Sequence, residues 1–190
     1  MLDAALQLDQ DLMLWLNRQH TPLLDSFWWI VSLKYTWIPL YLLLLVLAIR
    51  RYGKRSWILL LGFGLSVGAA DYVASGVLKP AVGRVRPCQE PQLADRIHTV
   101  HGYCRSSPSF PSSHAGNSLC VLLLSLYFFA RQYRWLIPIV MLYCLLHSYS
   151  RIYLGVHYPG DILGGWLVGG LCAGLCTRVL AQTGRRALRA

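Results

Sequence analysis

Trp57–Leu78, reading WILLLGFGLSVGAADYVASGVL, runs for 22 residues with a single ionisable side chain, Asp71, and stops at Lys79-Pro80. A helix needs about 20 mostly apolar residues to cross a bilayer, so this stretch reads as a membrane span. Four other runs flank it: Ser26–Ile49, His114–Ala130, Trp135–Tyr149 with an extension to about Leu154, and Ile162–Leu180. Trp28, Trp29, Trp37, Trp57, Trp135 and Trp166 fall at or near their ends, where amphipathic rings prefer to sit. Composition agrees. Of the 190 residues 55% are hydrophobic and only 14% charged, against about 25% charged in an average soluble chain. Disordered, collagen-like, coiled-coil and soluble-enzyme classes fall away. The expected fold is all-α, an integral membrane bundle of about five transmembrane helices in one domain, residues 1–190.

Residues before the first span read differently. Leu2, Leu6, Leu8, Leu12, Trp15 and Leu16 alternate with Asp3, Gln7, Asp9, Gln10 and Asp11 at roughly helical spacing. That pattern predicts an amphipathic helix lying in the membrane interface within residues 1–20. It lacks the basic start and small-residue cleavage site of a signal peptide, leaving the first span as the insertion signal.

The formal charge of +10 is largely a matter of topology. Arg50, Arg51, Lys54 and Arg55 follow the first span, Arg131 and Arg134 the third, and Arg178, Arg185, Arg186 and Arg189 the last. With five spans all lie on one face, which the positive-inside rule makes cytoplasmic. No nucleic-acid partner is needed to explain them, and no obligatory protein partner is implied. The long connection 79–113 then lies outside, yet it carries Lys79, Arg84, Arg86, Arg96 and Arg105 against Glu90 and Asp95. Cations on the disfavoured side suggest another job, and phosphate binding is the natural one.

Three clusters share that outer face: Lys79 to Arg86-Pro87, Pro111-Ser112-Ser113-His114, and Ser150-Arg151 through His157 to Asp161. Together they can run phosphoryl transfer. Lys79, Arg86 and Arg151 supply fixed positive charge, the arginines with forked donors matched to phosphate oxygens. Ser112 and the N–H groups near Ser113 open a helix, a natural anion site. Asp161, four residues after His157, can hold the imidazole in the tautomer that leaves its other nitrogen free to attack, with His114 as general acid. Each piece alone has a plainer reading: a snorkelling lysine, a helix cap, a loop-locking pair. Convergence on one face favours catalysis. No metal-ligand spacing appears, so no metal or other cofactor is expected.

The clusters resemble the signature of the type 2 phosphatidic acid phosphatase family, whose catalytic core is shared with vanadium haloperoxidases. That signature reads K-x6-R-P, P-S-G-H and S-R-x5-H-x3-D. Lys79, Arg86 and Pro87 fit the first part; Ser150, Arg151, His157 and Asp161 fit the third; Ser113 stands where the family usually has Gly. The resemblance implies a metal-free lipid phosphatase. His157 would be the nucleophile oriented by Asp161, and His114 the proton donor. Lys79, Arg86, Ser112, Ser113 and Arg151 would hold the phosphoryl group.

Cys88 and Cys104 flank residues 89–103 of the outer loop and are expected to be bonded in an oxidising compartment. Cys120, Cys144, Cys172 and Cys176 lie in spans and read as small packing groups. Asp71, two helical turns before Lys79, is expected either to support a pocket cation or to make a structural hydrogen bond, with Ser150 nearby; Lys34 has no assigned place, and His98 and His101 read as loop surface. Gly164, Gly165, Gly169, Gly170 and Gly174 make the last span a close-packing helix. The combined expectation is a hydrolase of a bacterial inner membrane, acting on a lipid phosphate or diphosphate at the periplasmic face, its C-terminus cytoplasmic. Undecaprenyl diphosphate ranks first, lipid A second, and phosphatidic acid or phosphatidylglycerol phosphate third. A vanadate-dependent haloperoxidase and a non-catalytic lipid transporter are the remote rivals.

Overall fold

A computed structural model describes the backbone of residues 2–189 and the side chains of residues 3–182. Arg185, Arg186 and Arg189, counted above for topology, have side chains outside the described residues. Among the described residues all regular structure is helical: α1 (Leu2–Asn17), α2 (Pro22–Ser32), α3 (Ile38–Tyr52), α4 (Ser56–Asp71), α5 (Lys79–Val82), α6 (Ser113–Phe129), α7 (Leu136–Tyr153) and α8 (Pro159–Arg189), with short 3-10 turns and one π-helical stretch, Tyr72–Leu78.

The first apolar run is not one helix. Leu33 is extended (φ −72°, ψ 133°) and divides Ser26–Ile49 between α2 and α3. A break inside an apolar run exposes the last carbonyls of the first helix, and here side chains take them. The Trp37 indole donates to Val31 O at 2.9 Å, and the Thr36 hydroxyl donates to Ile30 O. Pro39 then sits in the first turn of α3, where its missing N–H costs nothing. The break leaves Lys34 on a short connecting turn rather than in the middle of a span.

α6 is the central helix and packs against α4, α7 and α8. Leu59, Cys120, Val121, Leu124, Phe128, Val140 and Tyr143 fill the core between them. The opposite faces of the same helices stay apolar and exposed: Leu61 and Leu65 on α4, Leu142 and Leu145 on α7, Leu163, Leu167, Leu171 and Leu175 on α8. A soluble monomer rarely shows so large an apolar surface; lipid is its solvent.

The glycines of α8 divide by position. A Cβ on Gly165 or Gly169 would run into the backbone carbonyls of Ser112 and Gly116 on α6, and one on Gly164 into the Phe110 ring. Gly174 faces open space. The close approach is therefore confined to the N-terminal half of α8, beside the start of α6, where the three sequence clusters meet.

α1 packs inward through Met13 and Leu14, both buried against Leu93, Ala115, Ile152 and Ile162. Leu6, Leu8, Leu12 and Trp15 stay exposed, while Leu16 of the sequence pattern joins Met13 and Leu14 on the inner side, so the helix is amphipathic with a buried face that the pattern only partly marked. Asn17 fixes its end by donating to His98 O and Tyr153 O at 2.9 and 2.8 Å.

Candidate active site

Three connections converge above the core. α5 ends at Gly83, whose φ of +62° suits glycine and turns the chain back over the bundle. That turn carries Lys79 and Arg86 to the start of α6 and to the link between α7 and α8. Gly155 makes the matching turn after α7 (φ +71°), where a Cβ would meet Ile97 and the His98 carbonyl. Ser112 N donates to Asp161 O at 2.9 Å and ties the second cluster to the third.

The result is a polar cavity of about 260 Å³ walled by Lys79, Arg86, Arg105, Arg151, Ser113, His114 and His157, with Asp71 and Ser75 at one side. Lys79, Arg86 and Arg151 are buried, at 8%, 1% and 2% exposure. Among the described residues none of the four cations forms an ion pair with a carboxylate. Arg86 is held by the carbonyls of Ser107, Val156 and Pro108 at 2.6, 2.8 and 3.2 Å. Among the described residues the Arg151 side chain has only a 3.3 Å bond to the Tyr103 hydroxyl, and its Nε has no hydrogen-bond partner. Buried charge without a counter-charge is costly, so the cavity is built for an anion.

His157 and Asp161 are joined at 3.2 Å between Nδ1 and Oδ2. Asp161 Oδ2 also accepts from Tyr158 N at 2.9 Å, and Oδ1 from Arg84 at 2.9 Å. A carboxylate so surrounded accepts the Nδ1 proton and leaves the lone pair on Nε2, which faces Arg86 Nη1 at 3.2 Å. Burial first, then the cations Arg86, Arg151 and Lys79, hold the His157 imidazole well below the ordinary histidine pKa. It is neutral near pH 7. His114 lines the cavity from the first turn of α6, its ring 5.3 Å from that of His147.

Not every expected residue reaches the cavity wall. Ser112 is fully buried, and its hydroxyl accepts from Ala115 N at 3.5 Å as the cap of α6. Ser113 is the serine that lines the cavity, bonded to Ser75 at 2.8 Å. Ser150 turns back on its own helix and donates to His147 O at 2.7 Å. Asp71 accepts from Asn117 at 3.3 Å and, among the described residues, forms no direct ion pair, but it lines the same cavity as Lys79, whose charge its carboxylate favours.

Arg105, read from sequence only as part of the loop's surplus of cations, lines the cavity, and Tyr103, for which the sequence carried no signal, holds Arg151. Cys88 is bonded to Cys104, which stands between Tyr103 and Arg105. His98 is less superficial than expected: it bonds Asp25 at 2.8 Å and stacks on His20. Lys34 lines a second, mostly apolar groove of about 540 Å³ between α3, α4, α6 and α7, which shares Asp71 and His114 with the polar cavity.

A helical membrane bundle with an anion cavity holding an oriented imidazole defines a class, the membrane phosphotransfer enzymes that work on lipid head groups. The chain belongs to the PAP2 superfamily, whose pattern matches residues 55–185, and it is a lipid phosphatase. It is 33% identical over 174 residues to the lipid A 4'-phosphatase of Bacteroides thetaiotaomicron, covering 90% of this chain and 76% of that one. It is 30% identical over 147 residues to an undecaprenyl-diphosphatase of Sulfolobus acidocaldarius, covering 72% and 59%. Its fold matches the crystal structure of the transmembrane PAP2-type phosphatidylglycerolphosphate phosphatase from Bacillus subtilis, with a TM-score of 0.68, 26% identity, and coverage of 95% and 88%.

Proposed function

We propose that this multi-pass membrane enzyme removes a phosphate from lipid A, with residues 1–190 acting as one membrane-embedded phosphatase domain. One observation supports the choice of lipid. The likeness to a lipid A 4'-phosphatase spans 174 residues, longer than that to the undecaprenyl-diphosphatase of Sulfolobus acidocaldarius, at 147, which reverses the order expected from sequence. The mostly apolar groove of about 540 Å³ beside the cavity supports a lipid substrate, without favouring one lipid over another. Undecaprenyl diphosphate is the second reading, favoured by Arg105, a fourth cation beyond what a single phosphate requires.

The observation that carries the reaction is Arg151, buried in the cavity wall with Nε unpaired. A phosphoryl oxygen supplies its missing partner. With the phosphate held by Lys79, Arg86, Arg151 and Ser113, and Ser112 capping the helix behind it, His157 Nε2 attacks phosphorus. The ester P–O bond breaks as the leaving oxygen takes a proton from His114. Water, giving its proton back to His114, then attacks the phosphohistidine; the P–N bond breaks and inorganic phosphate leaves. We place the enzyme in a bacterial inner membrane, its site on the periplasmic side and its C-terminus cytoplasmic, because Arg50, Arg51, Lys54 and Arg55 crowd the connection at the far end of α3 and α4.

The test is phosphate release by purified protein in detergent with EDTA present. Lipid A, undecaprenyl diphosphate and phosphatidylglycerol phosphate are offered in parallel, with His157→Ala as control. Release from lipid A that survives EDTA and vanishes in the variant is expected. Preference for undecaprenyl diphosphate would overturn the choice of lipid, and release unaffected by His157→Ala would overturn the mechanism.

A further inference from the structure

One group of charges beneath the cavity touches no reacting atom in this mechanism. Arg84 stands between two carboxylates: Nη1 donates to Asp161 Oδ1 at 2.9 Å and Nη2 to Asp9 Oδ2 at 2.7 Å. Its guanidinium also lies 3.9 Å over the Tyr158 ring. The second oxygen of Asp9 accepts from Gly160 N at 2.6 Å. Asp9, on α1, therefore grips both the cation that holds Asp161 and the first turn of the helix that carries it. The approach is close enough that a Cβ on Gly160 would meet Asp9 Oδ2 at 2.8 Å.

The arrangement divides the work of the buried Asp161 carboxylate. One oxygen faces the cation, and the other serves His157 Nδ1 and Tyr158 N. Without Asp9, Arg84 would have Asp161 as its sole counter-charge. It would draw that carboxylate away from the imidazole and add net positive charge beside Lys79, Arg86 and Arg151, which already face His157. Asp161 is the one carboxylate bonded to this imidazole among the described residues.

We propose that Asp9 is a positioning residue for phosphoryl transfer: through Arg84 and Gly160 it fixes Asp161, and thereby the attacking imidazole, making α1 a working part of the site. The proposal rests on His157 as the nucleophile. It also corrects the sequence reading, in which Asp9 was one of several aspartates on the polar side of an interfacial helix.

The experiment compares Asp9→Asn, Asp9→Glu and, as control, Asp11→Asn, an exposed neighbour bonded to Gln7. The full chain is reconstituted in lipid nanodiscs. Two readouts are taken: kcat and KM on lipid A, and the titration of the His157 ring by 15N-histidine NMR without substrate, assigned with His157→Gln. For Asp9→Asn, kcat falls about tenfold, as with other groups that orient an active side chain through a partner, and KM stays within about twofold. Its His157 midpoint moves lower, because a negative charge that favoured the imidazolium is gone. Asp9→Glu restores part of both, and Asp11→Asn matches wild type. An Asp9→Asn enzyme with unchanged kcat and midpoint, or one that loses only thermal stability, overturns the proposal. Should the wild type hydrolyse no lipid, the proposed function falls, while the NMR midpoint still decides whether Asp9 acts on His157.

Discussion

Arg151 shows how far this molecule departs from maximal stability at a single position. It is 2% exposed, holds one long hydrogen bond to Tyr103, and leaves Nε unpaired. An unsatisfied buried cation destabilises the empty enzyme and strengthens its grip on an anion. Arg151→Met should therefore raise the Tm measured without substrate. It should also lower kcat/KM by about 10- to 100-fold, since a charged hydrogen bond contributes about 1.5–3 kcal/mol. A fall in both would assign the residue to the scaffold. His157 makes a second prediction. The attacking form is neutral, and a lowered pKa keeps it neutral into acid. After correction for the substrate's own second ionisation near about pH 6, the acid limb of kcat/KM lies below pH 6.5. Removing a facing cation with Arg86→Gln moves that limb upward; a limb fixed at or above 6.5 in both proteins would contradict the electrostatics.

At the scale of elements, the crossing of α6 and α8 sets the site. Gly165 and Gly169 let the two backbones approach where Ser112 N bonds Asp161 O at 2.9 Å. Gly165→Ala should cost about 1–3 kcal/mol as an overpacked contact and abolish most activity by parting the second and third clusters, whereas Gly174→Ala should change neither. Thermal unfolding and phosphate release check both variants. The close packing of Gly164, Gly165 and Gly169 was legible in the sequence, though Gly174 does not share it, and so was the approach of His157 to Asp161, because local spacing encodes both. What escaped reading was long-range. Asp9 looks like any polar residue of an amphipathic helix until folding brings it 151 positions along the chain to Gly160. Arg105 was one cation among five in the outer loop. The break at Leu33 was hidden because an apolar run carries no mark for a carbonyl capped by a tryptophan six residues on.

The whole molecule is a bundle with an apolar girdle and cations gathered at its ends. If the orientation proposed here is right, a membrane-impermeant maleimide added to intact cells labels Gln19→Cys, beside α1, and spares Lys54→Cys, between α3 and α4, over the background of the native cysteines. The reverse pattern would turn the enzyme over. The polar cavity and the apolar groove share His114 and Asp71, so the bond to be cut lies on the boundary between an aqueous compartment and a fatty one. Cleavage there sorts its products by phase. Phosphate diffuses into water and is diluted without limit, while the shortened lipid slides sideways into the bilayer. Hydrolysis of the ester is itself downhill in water, and because the two products leave by different routes neither waits for the other to clear the site.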